Sequence, residues 1–471
     1  MAKIWKSFLM FVVLVMVMGV VPAIFSASPV QANMSNITVN PYDSNFIGET
    51  SSYIITMTTG AMLQPPSAKI TIEFPAGTDI SAVAAAHVFI KGAVCTTVNI
   101  VGQQLEATVP GAVLINPGET FTVTISTAGG ITNPPDSSNS GDGRYTVDVW
   151  TSVETTHVPS SAYTIFAVDL WESNGTTWKD SYTTIQAAID AAAAGDHITV
   201  PAGTFTENVN VGLPLTIQGA GSATTTVTAA NPASSVFNVT ANSVDISGFT
   251  VSGATVATTA GIYLANGVTL CNIHDNTLTG NGDGLWLGSG SNHNTITNND
   301  VSNNLWQGLE IYISNDNTFS DNTANSNTSY GFKIDSGDHN TYTHNTANSN
   351  GKYGFYVVTG DGGGATNNTF TNNIANLNTQ YGIRINGGSD YTLTGNTFNA
   401  NVLEGIRLKE NITNLSMQNN NITNNPIGID IDASVADVST WTVTNNNITG
   451  NTTSGISNNA TTGTLEATNN R

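Results

Sequence analysis

Cysteine, basic residues and charge of either sign are all scarce in this 471-residue chain. The two cysteines, Cys95 and Cys271, fall in different expected domains, and no Cys-x-x-Cys or Cys/His spacing is present. Neither a disulfide framework nor a zinc module is therefore indicated. Only 12 Lys and Arg stand against 33 Asp and Glu, with a pI of 4.3. That balance excludes nucleic acid as a partner, because phosphates would be repelled. Charged residues make up just 10% of the chain, so Asn, Thr, Ser and Gly must coat its surface. This suits a stiff extracellular β-protein better than a cytosolic enzyme. Long apolar runs are missing except at the start. There Lys3 and Lys6 precede an apolar run from Phe8 to about Phe25, and Val30-Gln31-Ala32 closes it. The layout is that of a secretory signal peptide over residues 1–32, which places the protein outside the cell or at its surface. An uncleaved anchor is the alternative, and no other stretch could span a bilayer.

What is present divides in two. Residues 33–165 read as all-β: Tyr53–Met57, Ile70–Phe74, Val88–Ile90, Phe121–Ile125 and Tyr145–Trp150 alternate and are separated by Pro- and Gly-rich turns. About seven strands at this spacing predict an immunoglobulin-like β-sandwich, similar to modules of bacterial and archaeal surface proteins. Residues 166–181 read as a linker. Ser181–Ala194 then reads as an amphipathic helix, with Ile185, Ala188, Ile189 and Ala192 on one face. Such a helix is expected to cover the open apolar end of a solenoid over 182–471.

The solenoid is read from an internal repeat. A Gly followed by apolar-x-apolar recurs at Gly261, Gly284, Gly308, Gly331, Gly354, Gly382, Gly405, Gly428 and Gly455, at intervals of 23 to 28 residues. A second marker is the Asn column 276, 299, 322, 345, 373, 396, 420, 446 and 470, with an apolar or aromatic residue three before most members. A period near 23 with short strands predicts a parallel β-helix of roughly ten turns. Asn suits such a column because it tolerates a left-handed turn and can bond its counterpart about 4.8 Å away on the next turn. Arg471 stands one residue past the last column Asn, so an uncapped, truncated end is expected.

The segment TIQAAIDAAAAGDHITVPAGTFTENVNVGLPLTIQGAG (Thr184–Gly221) resembles the opening of the pectin-lyase-like superfamily. The repeats after it are similar to those of NosD-type periplasmic copper-binding β-helix proteins. The resemblance implies a right-handed parallel β-helix from about Thr183 onward. Several signatures are absent: the Gln-Asp-Thr and Gly-x-x-Asp-Phe patterns of pectin methylesterases and the Asp-Pro-His-Asp motif of mannuronan epimerases. Gly337-Asp338-His339 is a fragment of the last.

Function on a β-helix lies in outward side chains stacked between turns. Two residues after each marker Gly stand Tyr263, Trp286, Glu310, Lys333, Tyr356, Arg384, Arg407 and Asp430, and beside them Tyr312, Asp335 and Lys409. Just before the glycines lie Trp306, Tyr330, Lys352, Tyr353, Tyr381 and Glu404. Trp286, Trp306, Tyr312, Tyr330, Tyr353, Tyr356, Tyr381 and Lys409 are the candidate substrate-binding residues. Glu310, Lys333, Asp335, Arg384 and Arg407 are the candidate catalytic ones. Arg384 beside Arg407 places like charges on neighbouring strands, a cost an anionic ligand would offset. An acidic polysaccharide or cell-surface glycan is thus the expected partner. An enzyme here would be a polysaccharide lyase, epimerase or glycoside hydrolase, its cations neutralising a uronate. The plainer reading is a monomeric, non-catalytic rod or adhesin, whose exposed strands favour aromatics anyway. A third, metal handling, rests on His293, Asp316 and His339 on successive turns; at this spacing the outer histidines lie about 10 Å apart, and a hydrogen-bonded turn is the simpler account. No cofactor is called for, and a divalent cation such as calcium is the one ion left open. The loops Thr359–Ala365 and Ala433–Thr440 interrupt the same rim.

Overall fold

The computed structural model describes residues 34–42, 47, 50–134, 144–165, 167–360 and 364–471. The expected signal peptide, 1–32, lies outside them. Contacts divide the chain into two units, Met1–Phe166 and Ala167–Arg471.

In the first unit, alternating sequences form two five-stranded antiparallel sheets. One runs in the order Ser35–Pro41, Tyr53–Thr58, Thr120–Ile125, Val88–Ile90, Ala93–Val94. The other runs Val158–Pro159, Asp148–Thr151, Lys69–Glu73, Gln104–Thr108, Val98–Val101. Every second side chain is buried, as in Tyr53, Ile55 and Met57 or Phe121, Val123 and Ile125. Cys95 and Cys271 are both free and buried, and burial pushes each thiol up to about 11.

The second unit begins differently from expectation. Residues read as a linker form a hairpin, Val168–Trp171 against Trp178–Tyr182, and its first strand also pairs antiparallel with His197–Val200. Buried Val168 and Leu170 give it a core face, and Asn174 Oδ1 closes its turn by accepting from the Thr176 and Thr177 N–H groups. A helix of only seven residues follows, Ile185–Ala191. Thr184 caps it by accepting from the Ala187 N–H, and the Glu207 carboxylate takes the Ile185 and Gln186 N–H groups. Ile185, Ala188 and Ile189 are buried, and the helix touches the strands Val168–Trp171, His197–Val200 and Val209–Val211.

From His197 on, parallel strands build three sheets. One has fourteen strands, counting the hairpin, and another has eleven; the third is four strands continued by single bridges such as Asp300 to Thr323 and Thr323 to Thr346. Eleven stacked strands agree with a repeat counted at roughly ten turns. Inside, identical positions stack on one another. Tyr342 lies 4.9 Å from Phe319 and 4.7 Å from Phe370, and Phe332 lies 4.8 Å from Phe355, all near-parallel rings.

The marker glycines owe their recurrence to crowding. A Cβ on Gly354 would stand 2.6 Å from the Ala375 Cβ and 2.7 Å from the Gly382 carbonyl oxygen. Asparagine columns fill the bends. Asn322 Oδ1 accepts from both the N–H and the Nδ2 of Asn299, while its own Nδ2 donates to Ile296 O (2.8 Å) and Asn345 Oδ1 (3.0 Å). Two more columns, not singled out in the sequence, do the same: Asn281, Asn304, Asn327, Asn350, Asn378, Asn401 and Asn425, and the shorter Asn294, Asn317, Asn340 and Asn368. The left-handed conformation belongs to the residue before each column member. His293, Asn298 and Asn303, with φ of 57°, 53° and 59°, precede Asn294, Asn299 and Asn304.

Candidate functional site

The eleven-stranded sheet carries the candidate residues in three adjacent columns. Register pairs Tyr263 with Trp286, then Glu310, Lys333, Tyr356, Arg384, Arg407 and Asp430 in turn. The flanking column, just before the glycines, holds Asp283, Gln307, Tyr330, Tyr353, Tyr381 and Glu404. On the other side Tyr312 pairs with Asp335, and Asn386 with Lys409. Along this face the side chains sort into three patches.

The first patch is a carboxylate cluster. Lys333 Nζ lies 2.6 Å from Glu310 Oε1 and 3.9 Å from Asp335 Oδ2, so it stands between the two carboxylates. Gln307 links the cluster: its N–H donates to Asp283 Oδ1 (3.0 Å) and its Nε2 to Glu310 Oε2 (3.1 Å). Asp283 is 2% exposed. Burial, and then the neighbouring Glu310 charge, push its carboxyl up to about 8. Burial works against the Lys333 charge, but Glu310 beside it still raises the ammonium above its usual range, so Lys333 stays charged. Gln307 Oε1 and Trp286 Nε1 are buried without a hydrogen-bond partner. Trp286 packs 4.8 Å from Tyr263, and Trp306 is exposed. Sequence reasoning missed Asp283 and Gln307. Their signal was the position before Gly284 and Gly308, the same one that had been read out for Tyr330 and Tyr381.

The second patch is a tyrosine cluster around one guanidinium. Tyr330, Tyr353, Tyr356 and Tyr381 lie 4.8 to 5.3 Å apart in successive contacts. Arg384 sits 5.5 Å from the Tyr353 and Tyr356 rings and 6.0 Å from Tyr381. It donates to Tyr353 Oη (2.8 Å) and Asn386 Oδ1 (2.9 Å). Lys352 lies over Tyr330 at 5.2 Å.

The third patch alters the charge argument. Arg407 is paired with Glu404, Asp430 and Asp432. Its charge is answered by the chain itself, and the repulsion expected between Arg384 and Arg407 needs no ligand to offset it. Among the described residues Arg384 has no carboxylate within ion-pair distance, and Lys409 none either.

The expected His/Asp/His stack is spread along a turn column. His293, Asp316 and His339 all have positive φ (57°, 57° and 54°) and all are exposed. His293 Nε2 and Asp316 Oδ2 are 3.9 Å apart, but His339 does not join them in a three-ligand group. Asp338 is engaged in the turn, where its Oδ1 accepts from the Thr366 N–H (2.7 Å) and Oγ1 (3.0 Å). Of the Thr359–Ala365 loop, residues 361–363 lie outside the described residues.

Residues 235–398 and 361–471 match the family model described as right handed beta helix region. No curated protein matches the sequence. Among solved structures, the A-module of the Azotobacter vinelandii mannuronan C-5 epimerase AlgE4 is similar with a TM-score of 0.55 and 21% identity, covering 61% of this chain and 90% of that one. The AlgE6 A-module of the same organism gives 0.50 and 19%, over 61% and 94%. The catalytic domain of a GH87 α-1,3-glucanase in complex with tetrasaccharides gives 0.49 and 14%, over 93% and 97%.

Proposed function

We propose, from the premise that this chain belongs to the right-handed β-helix family, that it is an exported protein whose eleven-stranded sheet binds an acidic polysaccharide. The observation that carries this reading is Arg384, held among Tyr353, Tyr356 and Tyr381 with no carboxylate of its own among the described residues. Tyrosine faces offer flat apolar area for sugar rings. A guanidinium fixed between them offers a fork for a uronate carboxylate. The cluster of Glu310, Lys333 and Asp335 lies farther along the same columns and is where a bound chain would be processed. There Lys333, which already pairs with Glu310 and Asp335, would position Glu310 to accept a proton. The mannuronan C-5 epimerase modules share the fold of this chain, and at their identity that likeness supports the scaffold for such chemistry rather than the chemistry itself.

A glycan array of uronate polymers and neutral counterparts tests the binding. Uronate polymers are expected to bind, and Arg384→Ala to weaken them by about tenfold or more, a loss of ~1.4 kcal/mol. Processing is read by unsaturated products absorbing in the ultraviolet, expected to vanish in Glu310→Gln. If no acidic glycan binds the intact protein, the non-catalytic scaffold becomes the better reading.

A further inference from the structure

The first unit holds a cluster that the glycan reading does not use. Glu73 and Asp148 occupy directly opposed positions on the antiparallel strands Lys69–Glu73 and Asp148–Thr151. Two like charges facing each other across a ladder destabilise it. The basic residue on the same strand is committed elsewhere, since Lys69 Nζ lies 2.8 Å from Glu106 Oε1. Among the described residues nothing donates to the side chains of Glu73 or Asp148.

His157 completes the arrangement. It precedes Val158, which pairs with Val149, so the returning strand carries the imidazole over Trp150. The rings stack at 3.7 Å with an interplanar angle of 7°. One ligand atom each from Glu73, Asp148 and His157 lies within 4.8 Å of the others, and among the described residues this is the one such group. Stacking fixes the imidazole plane, the carboxylates face one another uncompensated, and the exposed His157 leaves one side open.

We propose that Glu73, Asp148 and His157 form a divalent transition-metal site, with zinc as its preferred ion. Two hard carboxylate oxygens with one borderline imidazole nitrogen make a mixed O/N set of the kind zinc accepts, and lack the soft sulfur favoured by copper(I). Metal–ligand bonds of about 2.0–2.1 Å need ligand atoms about 3.4 Å apart in a tetrahedron, so the side chains need close by no more than about 1.4 Å on binding. The ion answers the paired carboxylates and ties the strand Val158–Pro159 to the sheet through His157.

The test is calorimetric titration of the full chain with zinc chloride, alongside thermal unfolding. One equivalent is expected to bind and to raise the melting temperature. His157→Ala should weaken binding by at least about tenfold, and Glu73→Gln with Asp148→Asn should abolish it. Without zinc, the same double variant should melt higher than the parent, because the repulsion is gone. His293→Ala with His339→Ala should leave binding unchanged. Undiminished binding in His157→Ala, loss of binding in the His293/His339 variant, or no saturable binding of zinc overturns the proposal. None of these outcomes depends on glycan binding.

Discussion

Tyr342 is wholly buried between Phe319 and Phe370, and its hydroxyl finds no hydrogen-bond partner. A buried, unsatisfied hydroxyl costs stability, and a ring of the same shape without it should pack as well. Tyr342→Phe is therefore expected to stabilise the protein by about 1 kcal/mol, read as a rise in unfolding midpoint with an unchanged denaturant slope. Asp283 sets a pH dependence. Its carboxyl holds a proton up to about 8 in the fold against an ordinary 3.8, so the folded state binds the extra proton between those values. The stability it contributes is complete below the lower value and is lost as pH rises through the upper one. Asp283→Asn should flatten that decline, and equal slopes in parent and variant between pH 5 and 8 would show that Asp283 is not the group responsible. Gln307 and Glu310 touch Asp283 or its partner, and Lys333 faces Glu310 from the next strand. The comparison of slopes should therefore be repeated in Lys333→Met.

At the scale of the element, the repeating unit is a bend closed by asparagine. Asn322→Ala would strip the partner from Ile296 O and from the Asn299 N–H in a buried bend. The expected loss is on the order of 3 kcal/mol, measurable by chemical denaturation, whereas alanine at the exposed Asn419 should cost only the strain of its left-handed backbone, about 1 kcal/mol. How much of this was legible follows from what repeats. Gly-apolar-x-apolar and the Asn column announce the turn directly, because crowding and side-chain pairing act alike at every turn. The hairpin Val168–Trp171/Trp178–Tyr182 was read as a linker because it occurs once, with only Val168 and Leu170 marking its buried face. The candidate face was legible as columns, since register on a parallel sheet follows from the period. Its pairings were not. Arg407 meeting Glu404, Asp430 and Asp432 depends on which rotamers reach across strands. In the Glu73, Asp148 and His157 group, Glu73 comes from a strand far from the other two in sequence, with no motif to announce it.

In the second unit as a whole, each turn contacts its neighbours and hands on the same bonds, so its stability should behave as a sum over turns. Removing one complete repeat, residues 308–330, brings Gly331 into the place of Gly308 and restores every column. That deletion should fold, with a far-ultraviolet circular dichroism spectrum of unchanged shape. The asparagine columns also bear on how such a molecule ages. An asparagine deamidates when its side-chain carbon is free to swing onto the following backbone nitrogen, and the amide of Asn322 is held at both its oxygen and its nitrogen. Asn419 and Asn445 precede column members from exposed left-handed positions, and among the described residues their side-chain amides make no hydrogen bond. Long storage should therefore place new carboxylates on the outside of the bends, detectable by peptide mass, and leave the interior columns chemically intact. The asparagines that build this structure are thus also the ones it protects from the chemistry that makes asparagine a short-lived residue elsewhere.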